Sequence, residues 1–431
     1  MNAMLNNFTA GSVRAPAKIV FVNRYFSPDE SATSRMLSDL AFRLAERGLP
    51  VSVVTSRQLY ENPGAALPAH ETLRGVSVHR VSTATRGRAR LTGRALDYAS
   101  FHLAAGFELL RLLAPGDLVV AKTDPPLISI AVARAAAWRG ALLINWLQDL
   151  FPEVASVLAP NALPGWLQKG LLAARDKSLR AAVTNVVLSE GMRLRVAARG
   201  IDAGRVEVIP NWANTVEVAP LTTAESQTRR RVGLGPCFVV GYSGNLGRAH
   251  EFETLLGAAR LLQGDPDIAF LITGGGAKAA QLQEAVQAQN LSNLVFQDYQ
   301  PPQLLGDSLA AADVHFVSLL PALEGLIVPS KIYGILAAAR PAVFVGDPDG
   351  DVARLIRDSH CGIAVPVGQS ARLAAELRAL RDDRPRLADM GRRARQLALS
   401  SYTSEHAVAH WLNMLRAVAP HLLPAGAVNI A

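Results

Sequence analysis

A glycine-rich segment at residues 242–248, Tyr-Ser-Gly-Asn-Leu-Gly-Arg, has the residue types that bind phosphate. It follows an apolar, β-branched run and precedes an apolar pattern with a helical period of about 3.6 residues. A strand, a glycine turn and a helix N-terminus together present free backbone N–H groups at the positive end of the helix dipole. Arg248 would add a permanently charged fork of donors. The segment predicts either a phosphate-binding loop or a tight turn with a surface arginine.

A second cation stands at the predicted start of another helix. Ser330 is a good N-cap residue. The apolar stripe of the helix that follows comprises Ile332, Ile335, Leu336 and Ala339. Lys331 then falls in the first turn, where a cation opposes the helix dipole. An anion at the helix N-terminus that pairs with Lys331 would explain this charge; the alternative is a lysine that reaches water.

The loop before this helix contains Glu324 followed by Gly325. A carboxylate placed there could accept hydrogen bonds from the hydroxyl groups of a sugar. The alternative is a glutamate solvated on a surface loop.

Residues 273–279, Thr-Gly-Gly-Gly-Ala-Lys-Ala, match the G-x-G-x-x-A pattern of dinucleotide-binding proteins, and Asp298 lies about where a ribose-binding acid is expected. The pattern belongs to the first strand–helix turn of such a domain, whereas this segment lies in the second unit of its half. We therefore expect a glycine-rich turn near a cleft, including Gly275, and not a nicotinamide site.

Two segments of the first half place polar residues after predicted strands. Residues 26–35 join the first strand to its helix and contain Thr33 and Ser34. Residues 146–153 follow the strand at 141–145 and contain Asp149. All three side chains are candidates for ligand contact in a cleft. The alternatives are a helix-capping role for Thr33 and Ser34 and a turn-capping role for Asp149.

Short apolar, β-branched runs alternate with helical patterns along the whole chain, which predicts parallel βαβ units of the α/β class. The predicted strands of the first half are residues 18–22, 51–55, 118–121, 141–145, 185–188 and 206–209. Those of the second half are residues 238–241, 268–273, 294–296, 314–317, 342–345 and 362–365. The polar stretch 211–236 is the best boundary between two domains. Two open sheets would then face each other across a cleft, where a ligand site is expected.

The formal net charge of +8 is concentrated in the first half, because residues 1–215 carry +9 and residues 216–431 carry −1. Nucleic acid, anionic lipid and diphosphate substrates would all suit such a field. No nucleic-acid-binding module accompanies it, so we expect no nucleic-acid partner. No apolar run reaches the roughly 18 residues that a membrane span needs. We expect a cytoplasmic protein, with a peripheral contact to the anionic inner membrane as an open alternative.

The segment 86–113 is the basis for a possible membrane contact. It begins with the basic residues Arg86, Arg88, Arg90 and Arg94 and continues as an apolar helical pattern. A basic patch before an apolar helix is typical of contact with an anionic membrane surface. An ordinary core helix with a solvated basic face fits the same residues.

Three of these stretches, residues 242–248, 209–212 and 328–338, resemble the GT-B glycosyltransferases of family four. The resemblance is strongest to the WbuB-like and WcaI-like branch of bacterial surface-polysaccharide enzymes and covers about residues 18–415. It implies two Rossmann-like domains facing across a cleft. The implied boundaries are residues 1–215 for acceptor binding, 216–402 for nucleotide-sugar binding, and 403–431 for a helix that crosses back to the first domain.

The resemblance also implies a reaction: retaining transfer of a sugar, without a metal or other cofactor, from a UDP- or GDP-linked donor. The implied acceptor is a polyprenyl-diphosphate-linked glycan. Arg248, Lys331 and Glu324 match the catalytic positions of the family. The donor-binding positions are Gly244, Asn245, Gly247, Gly275, Ser330 and Tyr333.

The chain departs from the family pattern in two places. Gly334 stands where a second glutamate usually binds ribose, and residues 29–32 replace a glycine pair. Two other functions therefore stay open at this point: a GT-B epimerase acting on UDP-GlcNAc, and a non-catalytic scaffold of a polysaccharide assembly complex.

Overall fold

The computed structural model describes residues 16–86, 91–160 and 163–423. Two β-sheets organise the chain. The strands of the first sheet are β1 (Ile19–Val22), β2 (Val51–Ser56), β3 (His70–Leu73), β4 (Val76–Val81), β5 (Leu118–Lys122), β6 (Leu142–Trp146), β7 (Thr184–Val187) and β8 (Val206–Val208). The strands of the second sheet are β9 (Phe238–Ser243), β10 (Ile268–Thr273), β11 (Leu294–Gln297), β12 (Val314–Ser318), β13 (Ala342–Gly346) and β14 (Gly362–Pro366).

Helices cover the sheets. In the first half they are α1 (Ala32–Glu46), α2 (Leu91–Leu112), α3 (Ile128–Arg139), α4 (Glu153–Leu158), α5 (Gly165–Ala181) and α6 (Glu190–Ala197). In the second half they are α7 (Gln227–Arg231), α8 (Glu253–Leu261), α9 (Ala279–Ala288), α10 (Leu305–Ala310), α11 (Lys331–Ala337), α12 (Asp351–Ser359), α13 (Ser370–Asp382), α14 (Arg384–Ser401) and α15 (Ser404–Val418). Among the helices in these described ranges, none is long and apolar enough to cross a membrane.

Both sheets have the strand order of doubly wound α/β domains. The second sheet runs β11-β10-β9-β12-β13-β14, with all neighbours parallel. Its order reverses between β9 and β12, and ligands bind beyond the carboxyl ends of strands at such a point. The first sheet runs β3-β4-β2-β1-β5-β6-β7-β8 and reverses between β1 and β5. The predicted α/β class with two Rossmann-like domains is confirmed.

Each of the twelve predicted strands is present, and the apolar runs of all but β8, β11 and β14 are buried on both faces. In β1, Ile19 and Phe21 pack into one apolar cluster and Val20 and Val22 into the cluster on the opposite face. The hairpin of β3 and β4 was not predicted. Strand β3, at the edge of the sheet, alternates exposed and half-buried residues, and β4 alternates buried and half-buried ones, so neither forms an apolar run.

The chain crosses between the two sheets twice. The first crossing follows β8, and the second joins α14 to α15, where Ala213 pairs with Thr403. Helix α15 then packs on α1 and on the first sheet. Its Trp411 is fully buried, with ring centroids 5.0 Å from Trp146 and 6.2 Å from Phe21. The last described helix therefore contributes core to the first domain.

Candidate active site

Two glycine loops lie side by side at the carboxyl edge of the second sheet. Gly244 N donates to Thr273 O at 3.0 Å, and Leu246 N donates to Gly275 O at 2.8 Å. Gly274 has a φ of 130°, and a Cβ at that position would lie 2.1 Å from Gly244 O. Only glycine permits this approach of two backbones. The loop at 274–276 thus supports the loop at 244–247, which is the turn expected from its place in the second unit.

Lys331 extends from α11 to the loop at 244–247. Its Nζ lies 3.7 Å from the centroid of the Tyr242 ring, and a Cβ at Gly244 would be 3.9 Å from that Nζ. Among the residues described, no carboxylate forms a salt bridge with it. The side chain is half-buried, and burial lowers the pKa of Lys331 well below its usual value. A bound anion would restore the charged form.

His250 orients the Lys331 ammonium and was not identified from the sequence. Its Nδ1 lies 2.6 Å from Ser318 O, and its Nε2 lies 3.4 Å from Lys331 Nζ. Because a carbonyl can only accept, Nδ1 carries the proton and Nε2 accepts from the lysine. Burial and the nearby lysines lower the pKa of His250 to about 3. The imidazole therefore stays neutral and leaves the positive charge of Lys331 uncompensated.

Two more cations belong to the same loops. Lys278 donates to His250 O at 2.6 Å; the sequence placed this lysine only within the glycine-rich turn. Arg248 is exposed and makes no hydrogen bond or ion pair with the rest of the described chain. Tyr242 Oη donates to Asn245 O at 2.6 Å and fixes the turn that precedes Gly247 and Arg248. The two loops thus present a guanidinium and an ammonium group that have no carboxylate partner in the described chain.

The structure corrects the predicted helix cap at Ser330 and the predicted ligand contact of the Tyr333 ring, whereas a donor contact of the Ser330 hydroxyl stays a prediction. Ser330 occupies the N-cap position, but its backbone is already helical and its hydroxyl caps nothing. The Ser330 side chain is exposed. Tyr333 is buried and packs against Tyr402, with ring centroids 5.0 Å apart. It lies on the apolar face of α11 with Ile332, so its ring contributes to the core and is not available to a ligand.

Glu324 lies where the second domain meets α6 of the first. Its Oε1 accepts from Asp351 N at 2.7 Å, so the carboxylate caps α12. Arg195 donates to Glu324 O at 3.1 Å, and Gly191 N donates to Asp351 Oδ1 at 3.1 Å. Burial and the neighbouring Asp351 and Asp347 raise the pKa of Glu324. The carboxylate is engaged on one oxygen, and its contact with sugar hydroxyls stays a prediction.

Thr33 and Ser34 of the first domain differ in their burial and in the hydrogen bonds of their hydroxyl groups. Thr33 is half-buried, with its hydroxyl 3.3 Å from Asp124 Oδ2. Ser34 is fully buried and its hydroxyl donates to Asp29 O at 2.8 Å. The Ser34 hydroxyl therefore holds the β1–α1 loop together and is not a ligand contact, which corrects the prediction for this residue.

Asp149 lies at the contact between the domains. Its backbone pairs with Ile327, and Leu150 N donates to Leu326 O at 2.8 Å. Burial and the neighbouring Asp124 raise the pKa of the Asp149 carboxyl to about 6, against the opposing effect of Lys122. The sequence analysis identified Asp149 but not its charged neighbours Asp124 and Lys122.

Lys122 ends β5 and is fully buried. Its Nζ lies 3.7 Å from the centroid of the Trp146 ring and has no hydrogen-bond partner among the described residues. Burial lowers its pKa well below the usual value, while Asp124 and Asp149 act in the opposite direction. Lys122 could have been identified from the sequence as a charged residue at the carboxyl end of an apolar strand.

Two doubly wound sheets in one chain define a class, the GT-B fold. Residues 31–212 match the family described as "Glycosyl transferase 4-like domain", and residues 228–397 match "Glycosyl transferases group 1". Solved structures of the same fold include sucrose-phosphate synthase from Thermosynechococcus elongatus, at a TM-score of 0.74 and 16% identity over 93% of this chain and 98% of that one. Anabaena HepE, solved with UDP-glucose, has a TM-score of 0.69 at 16% identity, covering 93% of this chain and 99% of its own.

Within that class, the chain belongs to the family-four glycosyltransferases. It is 24% identical to the probable glycosyltransferase WbjE of Pseudomonas aeruginosa, over 83% of this chain and 88% of the relative. It is 26% identical to the putative colanic acid biosynthesis glycosyl transferase WcaI of Escherichia coli K12, over 81% of this chain and 88% of that protein. The family expected from the motifs is confirmed.

Proposed function

We propose that this glycosyltransferase moves a sugar, with retention, from a UDP- or GDP-linked donor to a polyprenyl-diphosphate-linked glycan during assembly of a surface polysaccharide. The observation that carries the proposal is the Lys331 ammonium, which adjoins the loop at 244–247 and has no carboxylate partner in the described chain. Support for the pathway comes from the likeness to WbjE and WcaI, and support for the donor from the UDP-glucose complex of HepE.

The barrier to transfer lies in the charge that develops as the donor's glycosidic bond breaks. Negative charge grows on the leaving diphosphate, and Lys331, Arg248 and the backbone N–H groups of the 244–247 loop can bind it. Preorganised donors of this kind contribute roughly 3 kcal/mol each to transition-state stabilisation. Attack on the same face places the acceptor hydroxyl beside the departing diphosphate oxygen, which takes its proton. Because this chain's own cations balance the diphosphate, we propose no metal or other cofactor.

Replacement of either cation tests the assignment. Lys331→Ala and Arg248→Ala should each lower kcat/KM by about a hundredfold to a thousandfold, since each removes one preorganised charge. Arg260→Ala is the matched control, because Arg260 is another exposed arginine of the same strand–helix unit. Unfolding midpoints should stay near that of the wild-type protein.

Near-wild-type transfer in both variants would refute the assignment. Product analysis with donor alone separates transfer from epimerisation, because only an epimerase acts without an acceptor. The anomeric configuration of the product, read by NMR, tests retention.

A lipid-linked acceptor requires a membrane surface, and the first domain has a face suited to one. Helices α2, α3 and α5 pack side by side. Their outward aromatic residues are Phe107, Trp138 and Trp166, which are 57%, 82% and 75% exposed. We call this the basic–aromatic face.

The charges of that face favour an anionic lipid surface. The exposed charged residues that the structure describes on these three helices are all basic: Arg94, Arg111, Arg134, Arg139, Lys169, Lys177 and Arg180. Asp97 and Asp176 are buried, and Glu108 pairs with His79 at 3.2 Å. Arg88 and Arg90 of the predicted basic patch lie outside the described residues. We propose that the protein rests on the cytoplasmic face of the inner membrane through this surface.

Co-sedimentation with vesicles tests the contact. The protein should sediment with vesicles containing phosphatidylglycerol at low salt and much less with pure phosphatidylcholine, because electrostatic attraction is screened by salt. Trp138→Ala with Trp166→Ala should weaken sedimentation, whereas Leu261→Ala, an exposed apolar residue of α8, should not. Equal sedimentation of wild type and the double variant would exclude this face.

A further inference from the structure

A groove of about 890 Å³ lies on the second domain, away from the loops that hold Lys331. Four of its lining residues are arginines: Arg340, Arg384, Arg392 and Arg395. We call it the arginine groove. Its volume falls within the range of small-molecule sites.

The arginine groove is at the opposite edge of the second sheet from the donor loops. Its lining includes Asp313 and Pro341, which directly precede β12 and β13. The donor side begins where these strands end, at Ser318, whose carbonyl binds His250. A strand of five residues spans about 16 Å. The groove is therefore separate from the proposed donor site.

The charges lining the groove are not balanced. Asp313 is its only acidic lining residue, and its carboxylate is already shared by Arg229 and Arg384, each at 2.9 Å. Arg340 donates only to the carbonyls of Leu221 and Ala310 among the described residues. Its Nε is buried without a partner.

Arg395 repeats this pattern on α14. In the described structure it donates to the carbonyls of Thr215, Val218 and Ala337 and to no carboxylate. Burial lowers the pKa of both Arg340 and Arg395. Asp313 partly offsets this desolvation for Arg340 without forming an ion pair with it, and an anion in the groove would offset more of the cost for both cations.

The remaining surface of the groove is apolar. Leu387, Ala388 and Leu399 line it from α14, and the side chain of Leu399 is 47% exposed. A ligand that satisfies both parts of the lining carries negative charge and an apolar portion.

We propose that the arginine groove is a second ligand site, which binds a small phosphate-bearing molecule with an apolar portion. The site also borders both crossings between the domains, because Thr222 and Thr223 lie after the first and Ser400 lies before the second. Nothing in sugar transfer as proposed above uses these residues.

Calorimetric titration of the UDP-saturated protein with phenyl phosphate and with inorganic phosphate tests the proposal. UDP keeps the probes out of the donor loops. We expect one further site, with phenyl phosphate bound more tightly because its ring covers the apolar lining. The same site should persist in Lys331→Ala, so that its existence does not depend on the donor assignment.

Two adjacent arginines give a matched pair of variants. Arg392 lines the groove and Arg393 does not, yet both bind Asp389, at 2.8 Å and 2.7 Å. Arg392→Gln should weaken phenyl phosphate binding about tenfold, the effect of losing one charge-assisted hydrogen bond. Arg393→Gln should leave it unchanged, and Ala388→Trp should block it by filling the groove.

Absence of a further site in the UDP-saturated wild type would overturn the proposal. So would equal effects of Arg392→Gln and Arg393→Gln, which would indicate only a general loss of surface charge. Unchanged binding in Ala388→Trp would place the probe elsewhere and would overturn it as well.

Discussion

Two lysines occupy matching positions in the two domains and have different consequences. Lys122 and Lys331 each lie at the carboxyl edge of their sheet, with Nζ 3.7 Å from the centroid of an aromatic ring. Lys122 is fully buried, and the neighbouring carboxylates of Asp124 and Asp149 favour its charged form. Lys331 is half-buried, and in the described chain its Nζ contacts the neutral His250 and the Tyr242 ring but no carboxylate. Similar lysine–aromatic contacts therefore give one lysine enclosed in the fold beside two carboxylates and one lysine available to a ligand.

Replacing each ammonium by an uncharged side chain of similar shape tests whether the two lysines differ. Lys331→Met should raise the Kd for UDP about tenfold to a hundredfold, since it removes one charge-assisted hydrogen bond. Lys122→Met should leave that Kd within about twofold, because its ammonium lies in the other domain. Calorimetric titration of both variants measures this. Equal losses of affinity would show that the two lysines do not differ as the structure implies.

The pH dependence of UDP binding reports on the protonation of Lys331. Burial lowers the pKa of free Lys331, so above that pKa the diphosphate must bind together with a proton. The Kd for UDP should therefore rise with pH by up to about tenfold per unit. Measurements between about pH 7 and 9 avoid titration of the nucleotide phosphate.

Lys331→Arg is the control for this dependence. A guanidinium stays charged throughout that range, so its Kd for UDP should be flat with pH. If the Kd for UDP changed equally with pH in the wild type and in Lys331→Arg, the proton taken up on binding would belong to another group.

The smallest expected effect concerns Asp149, which lies beside Lys122 in the first domain. The folded-state pKa of Asp149, about 6, lies above the ordinary aspartate pKa of 3.8, so the folded chain binds the proton more tightly than the unfolded chain. This group therefore lowers stability as pH rises from about 4 to about 6, and the loss persists above that range. Asp149→Asn should raise the free energy of unfolding at pH 8 by about 1–2 kcal/mol and change it little at pH 4.

Urea denaturation at the two pH values measures this change. Thr123→Ser, a conservative change in the same group of loops, serves as the control. A destabilised Asp149→Asn at pH 8 would mean that the carboxylate is compensated in the fold and that its proton affinity is not raised.

The fold was largely predictable because most strands are buried on both faces and read as apolar runs. The hairpin of β3 and β4 was missed, since β3 alternates exposed and half-buried positions at the edge of the sheet. Its turn uses Arg74 and Gly75, both with positive φ, and resembles a surface loop in the sequence.

The site was predictable only where spacing fixes position. The glycines at 244 and 274 follow strands directly, and Lys331 begins the helix that comes after β12, so the topology places all three at one edge. Side-chain direction is not encoded in such patterns. Tyr333 and Ser34 were assigned to ligands, whereas both point into the interior. His250 and Lys122 acquire their roles from residues distant in sequence, Ser318 and Asp149, which no local motif connects to them.

The return of α15 to the first sheet makes the first domain discontinuous in sequence. A fragment ending near residue 215 would lack Trp411 and leave its partners Phe21 and Trp146 uncovered. Expression of that domain by itself thus requires residues 404–423 to be supplied, either as a separate peptide or fused ahead of β1 in a permuted chain.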